Sequence, residues 1–191
     1  MMILNYSEDN LAIYAYGSLL SEPGEKLAPR IITRIPRLSP WPIEYARRAK
    51  LRGNGPTLVI HASGASVQGK LLVLDARVDA IDAIEECLWE REGKPPRAGL
   101  KRMEWSGFRK VLYCDLESTL SELDLNADAL ARFAIESVRN NPARNAIRYL
   151  AQNIEQGVIT PLTYDYREAI LCATGAPNLR QAEELLLRSA Q

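Results

Sequence analysis

The apolar residues of this chain follow two periods. Up to about Leu116, one stretch at 75–93 aside, they come as short β-branched and aromatic runs, or alternate with polar residues; from Asn126 on they recur every three or four positions. Ala12 to Tyr16 is a short apolar run broken by Gly17 and Ser18, which predicts a buried strand ending in a turn. Residues 1–10 read as a lead-in, and Ser21 to Gly24 as a loop. Ile31–Arg37 and Ile43–Lys50 alternate well enough for two strands, and Pro36, Pro40 and Pro42 confine the stretch between them to edges or turns. Arg52 to Pro56 is a glycine-rich turn. Thr57–Ala62 predicts a strand, Ser63–Ala65 a hairpin turn and Val67–Leu74 its partner. Antiparallel strands this closely spaced predict a barrel or a strongly curved sheet.

Between Asp75 and Gly93 the period changes. Val78, Ile81, Ile84, Leu88 and Glu92 share one helix face, with Gly93 as the stop and Pro95-Pro96 beyond it. Residues 97–107 carry no decisive pattern, and Phe108–Leu116 returns to strand character. Asn126 can cap a helix running to about Asn140. Pro142 opens the next, whose apolar face is Ile147, Leu150 and Ile154, with Gly157 as its end. Two further helices are expected at roughly 163–173 and 178–190, punctuated by Gly175, Pro177 and Asn178. Strands with one inserted helix, then helices packed on the sheet, make an α+β pattern. No repeat, low-complexity tract or linker interrupts the 191 residues, so a single domain is the expectation.

Composition narrows the function. Lys and Arg number 24 and Asp and Glu number 24, so no charge excess points to nucleic acid or to an anionic membrane as partner. The apolar run after Glu8 and Asp9 fits neither a signal peptide nor a membrane span. Cys87, Cys114 and Cys172 are odd in number and widely spaced, with neither zinc-finger nor redox spacing. They read as core thiols of a cytoplasmic protein. Self-association is left open by a net charge near zero.

His61 is the one histidine, so histidine-rich metal sites are excluded by count and any Ser–His or Cys–His system would have to use it. Its place at a strand end beside a turn reads as a surface histidine. Glu92 lies in line with Ile84 and Leu88 on the apolar face, whereas Glu86 and Glu90 share a solvated one. Burial and the negative end of the helix dipole would both favour its neutral form, which suits a group that takes a proton and returns it. The alternative is a frayed helix end at which Glu92 pairs with Lys94 or Arg97. The amides of Gly17, Ser18 and Leu19 could hold an anion or a developing oxyanion, because a glycine there admits close approach to the backbone.

Taken in order, four segments resemble the γ-glutamyl cyclotransferase-like family. They are Tyr16-Gly17-Ser18-Leu19, Arg52 to Val59 (R-G-x-x-P-T-L-V), Val67 to Leu74 (V-x-G-x-L-x-x-L) and Leu88 to Gly93 (L-x-x-R-E-G). The resemblance is closest to the ChaC-type branch, whose N-x-x-Y-L…G-I helix is similar to Asn145–Leu150 followed by Gly157-Val158. It covers about residues 12 to 160. It implies a small mixed β-barrel over about 12–116, flanked by helices over about 126–190. It also implies cleavage of a γ-glutamyl amide, such as glutathione or a γ-glutamyl amino acid, to 5-oxoproline and a free amine, without metal or organic cofactor. Glu92 then stands at the catalytic position, and Tyr16, Gly17, Ser18 and Leu19 line the substrate pocket. Arg52 can bind a substrate carboxylate or serve as a strand-end surface arginine. Tyr149 can donate to the substrate or pack. Ser18, with no base identified beside it, reads as a pocket donor and not as a nucleophile.

The chain departs from the family after Gly93. Lys94 to Gly99 replaces a short G-x-Y segment, and no tyrosine follows until Tyr113. Two functions therefore stand on the sequence: a cyclotransferase, favoured by Glu92, and a non-catalytic small-molecule binding protein of the same fold, favoured by the altered segment.

Overall fold

The computed structural model describes Ser7, residues 9–77 and residues 80–189. The lead-in before Ser7, Glu8, Val78 of the expected helix face, and the last two residues lie outside them. The elements in chain order are β1 (Asn10–Ala15), β2 (Ile31–Leu38), β3 (Ile43–Ala49), β4 (Gly55–Ile60), β5 (Gln68–Arg77), α1 (Ile81–Arg91), β6 (Leu100–Trp105), β7 (Phe108–Cys114), α2 (Ala127–Asn140), α3 (Ala146–Glu155), α4 (Thr163–Thr174) and α5 (Leu179–Ser189). This is the mixed α+β content that the two periods predict. No helix among the described residues is long and apolar enough to cross a membrane.

The chain forms two compact units. The first holds the residues up to Leu38 together with Gln68–Leu116; the second holds Ser39–Val67 and the residues from Glu117 on.

The first unit is built on a five-stranded sheet of order β2-β5-β1-β7-β6. β1 sits at its centre, antiparallel to β5 and parallel to β7, and all six of its residues are buried. A strand covered on both faces reads as a continuous apolar run, which is why residues 11–15 lack alternation. β5 carries Leu71, Leu72, Val73 and Leu74, all 0% exposed, for the same reason. The sheet is open, with β2 and β6 as edges, so the barrel expected from the strand spacing is not formed by these pairings.

The second unit contains the two-stranded β3–β4 ribbon and helices α2 to α5. Here the sequence reading needs correction, because the strand before Ser63–Ala65 does not pair with the strand after it. β4 pairs with β3, and β5 pairs with β1 and β2. The turn folds back over β3: His61 N–H donates to Pro42 O at 3.0 Å and Ile43 N–H to Ala65 O at 2.9 Å. Gly64 lies against Ile43, where a Cβ would come within 2.2 Å of the Ile43 carbonyl oxygen. Among the helices, Asn126 caps α2 as expected, its side chain accepting from Ala129 N–H. α3 starts four residues later than Pro142 suggests, because Asn145 is its cap and accepts from Arg148 N–H.

Candidate active site

After β1, Tyr16 stays extended and Gly17 turns into the left-handed region at φ +62°. That conformation costs an L-residue with a Cβ about 1–2 kcal/mol. Gly17–Leu19 then forms one 3-10 turn, closed by Leu20 N–H to Gly17 O at 3.1 Å and continued by Glu22 N–H to Ser18 O at 2.8 Å. The leading amides of such a turn, those of Gly17, Ser18 and Leu19, have no acceptor within it. Leu19 is buried, Ser18 half-buried, and the Tyr16 hydroxyl donates to Cys114 O at 3.2 Å.

The end of α1 belongs to the same unit. Ile81, Ile84 and Leu88 are its buried face. Glu92 is the C-cap residue, its N–H donating to Leu88 O at 3.0 Å, and Gly93 follows at φ +81°. The Glu92 side chain is 18% exposed and that of Arg91 15%. Arg91 Nη1 donates to Glu92 Oε1 at 2.5 Å, and Arg91 Nη2 donates to Ser18 Oγ at 3.1 Å. One guanidinium therefore touches both the carboxyl at the helix end and the turn after β1, which lie more than seventy positions apart in sequence.

Glu92 does not pair with Lys94 or Arg97. Lys94 Nζ lies 5.3 Å from the centre of the Trp89 ring, while the Arg97 guanidinium carbon lies 3.8 Å from it and the same side chain pairs with Glu86. Glu90 pairs with Lys26, so Glu86 and Glu90 occupy the solvated face that their spacing predicts. Behind the site, burial pushes the Cys114 thiol well above its ordinary range; the Glu92 charge adds to the rise and the Arg91 charge opposes it. A groove of about 280 Å³ is lined by Pro23–Leu27 together with Cys87, Glu90 and Arg91.

The remaining sequence candidates lie in the second unit. Arg52 ends a 3-10 turn after β3, with its guanidinium carbon 4.0 Å from the centre of the Tyr149 ring. Tyr149 is on α3 and 4% exposed, and its ring meets that of Tyr45 edge-on at 6.4 Å. His61 Nδ1 is 2.8 Å from Ser63 Oγ, a local turn contact.

Two residues escaped the sequence reading. Arg91 is one; its signal was an opposite charge directly beside Glu92. The other is Glu44 on β3, which is 0% exposed. Its Oε1 accepts from Thr160 Oγ1 at 2.6 Å and from Tyr45 N–H at 2.8 Å, and its Oε2 from Leu162 N–H at 3.3 Å. Burial raises its carboxyl above the ordinary range, and these three donors and the nearby His61 oppose the rise. The thiols also depart from expectation: Cys172 is exposed and Cys87 and Cys114 half-buried. Among the described residues no group of three or more His, Cys, Asp or Glu side chains is arranged to hold a metal.

No protein-family model matches the chain, and no curated protein matches it. Among solved structures it is similar to a selenomethionine-labelled γ-glutamyl cyclotransferase specific to glutathione, from yeast. The two share 16% identity with a TM-score of 0.44, over 96% of this chain and 97% of that one. A TM-score below 0.5 does not establish a shared fold, so the weight rests on this chain's own residues.

Proposed function

We propose that this protein is a γ-glutamyl cyclotransferase of the ChaC-type branch, acting on glutathione or a γ-glutamyl amino acid in the cytoplasm, with residues 1–191 as one working domain. The observation that carries the reading is the meeting of Glu92 and Ser18 on the Arg91 guanidinium. Two segments singled out by resemblance, far apart in sequence, share one partner.

The chemistry needs one proton carrier and one oxyanion site. Glu92 takes a proton from the substrate α-ammonium, because an ammonium has no lone pair with which to attack. The freed amine attacks the γ-carbonyl carbon, a C–N bond forms, and the carbonyl oxygen becomes an oxyanion. Amides of the Gly17–Leu19 turn receive that charge, at about 3 kcal/mol for a well-placed donor. As the tetrahedral species collapses, the original amide C–N bond breaks and Glu92 returns its proton to the departing amine; the carboxylate so restored takes the second proton from the ring nitrogen, leaving the neutral lactam, and that proton departs with the free amine as its ammonium. No water is consumed. Ring closure is intramolecular, so holding the γ-glutamyl arm folded supplies much of the rate.

The test is 5-oxoproline release from glutathione and a panel of γ-glutamyl amino acids, wild type beside Glu92→Gln. The substitution keeps the shape and removes the base. The expected outcome is release by wild type and a loss of about a hundredfold or more in the variant.

A second reading, binding without turnover, is favoured by the segment after Gly93. Pro95 O accepts from Trp89 Nε1 at 2.7 Å, so the stretch is committed to α1. That reading expects no 5-oxoproline, together with a raised melting temperature in the presence of γ-glutamyl compounds.

A further inference from the structure

We infer that Arg91 is a positioning residue for this reaction, holding the Glu92 carboxyl against the Gly17–Leu19 turn; the inference rests on the cyclotransferase reading above.

The guanidinium is fixed at several points. Nε and Nη2 both donate to Glu22 O, at 2.9 and 2.7 Å, which sets the plane of the group. Nη2 also reaches Ser18 Oγ, and Nη1 is left to Glu92 Oε1. Ser18 and Glu22 are themselves joined by a backbone hydrogen bond, so Arg91 grips a closed turn and not a loose loop. Gly24 lies along the side chain's path: it has φ +88°, and a Cβ there would come within 3.1 Å of Arg91 Cγ.

This arrangement does more than tie a helix to a loop. The Glu22 contacts alone would do that. The third donor is spent on the one carboxyl group to which the reaction assigns the proton, and it acts from the side of the turn that receives the oxyanion. A planar fork serving three acceptors cannot be reproduced by lysine, whose ammonium is a point charge. A misplacement of about 1 Å in a reacting group can cost a hundredfold in rate.

The test measures kcat and KM for 5-oxoproline release in Arg91→Ala and Arg91→Lys, with each change also made in a Glu92→Gln background. The expected result is a fall in kcat of about a hundredfold for Arg91→Ala and at least about tenfold for Arg91→Lys, with KM within about threefold of wild type. Added guanidinium chloride, but not sodium chloride, restores part of the Arg91→Ala rate. In the Glu92→Gln background the Arg91 changes add no further loss, because residues that act as a unit are not additive. The inference is overturned if folded Arg91→Ala keeps the wild-type kcat, if guanidinium does not rescue it, or if its loss adds fully to that of Glu92→Gln. Should wild type itself release no 5-oxoproline, the cyclotransferase reading falls first and takes this inference with it. Arg91→Lys keeps the charge and provides the comparison should Arg91→Ala not fold.

Discussion

Arg52 and Tyr149 meet each other: the guanidinium carbon of the first stands 4.0 Å from the ring centre of the second. The sequence leaves each open to a contact with substrate or to a structural role, and in the second unit the two stack on one another. A cation over an aromatic face is worth about 0.5–2 kcal/mol, depending on how far it is desolvated. A double-mutant cycle on unfolding free energy, with Arg52→Gln and Tyr149→Leu, is expected to give a coupling of about 1 kcal/mol. Tyr149→Phe keeps the ring and should keep most of that coupling. A coupling indistinguishable from zero would make the stacking incidental.

Glu44 makes stability depend on pH. Its folded-state carboxyl titrates above the ordinary value of 4.5, so over that window the folded chain binds more protons than the unfolded one. Its contribution is therefore fully present below the ordinary value, and is lost as pH rises through the raised one. Glu44→Gln removes the titration and is expected to flatten the stability profile over that range. Unfolding midpoints for wild type and variant, measured in steps from acid to neutral pH, decide the matter. Parallel curves would show that the group does not titrate in this window.

Gly17→Ala tests the turn. At φ +62° the added Cβ is strained by about 1–2 kcal/mol, and relief of that strain would re-aim the amides that follow. The expected outcome is a melting temperature lowered by several degrees and 5-oxoproline release reduced at least about tenfold. A variant that loses stability but keeps full turnover would exclude these amides from the oxyanion site.

The parts legible in the sequence are those with local causes. Helix ends announce themselves through residues such as Asn126, whose side chain accepts from Ala129 N–H, and Gly175, which takes the left-handed conformation at φ +66°. The β1 turn and the α1 face followed from glycine and from apolar spacing in the same way. β6 was not legible because it is an edge strand with only Leu100 buried, while its Arg102 reaches Asp82 and Glu85 on α1. No apolar alternation survives such a role. The pairing of β5 with β1 was hidden too, because strand partners are chosen by long-range burial, and the short turn before β5 suggested a nearer one. The same limit applies at the site. Glu92 could be singled out on its helix, but its bond to Arg91, and the reach of Arg91 to Ser18, depend on where the chain returns. Asn145, singled out with Tyr149 by resemblance, turns out to hold structure: it caps α3 and donates to Glu183 Oε1 at 2.7 Å.

Gly55 faces a crowded spot in the second unit, where a Cβ would stand 2.4 Å from the Ala146 Cβ and 2.8 Å from the Ser137 Cβ. Ser137 Oγ also accepts from Ala146 N–H at 2.9 Å, so the serine is held by its own bond and cannot swing aside. The three positions share one allowance of volume and already hold close to the least that side chains can occupy. Evolutionary drift at any of them is thus nearly closed: a larger residue at position 55 requires a smaller one at 146 or 137 to have arrived first, and a serine lost at 137 leaves an amide without its acceptor. Gly55 would persist in descendants of the chain even after all catalysis had been abandoned.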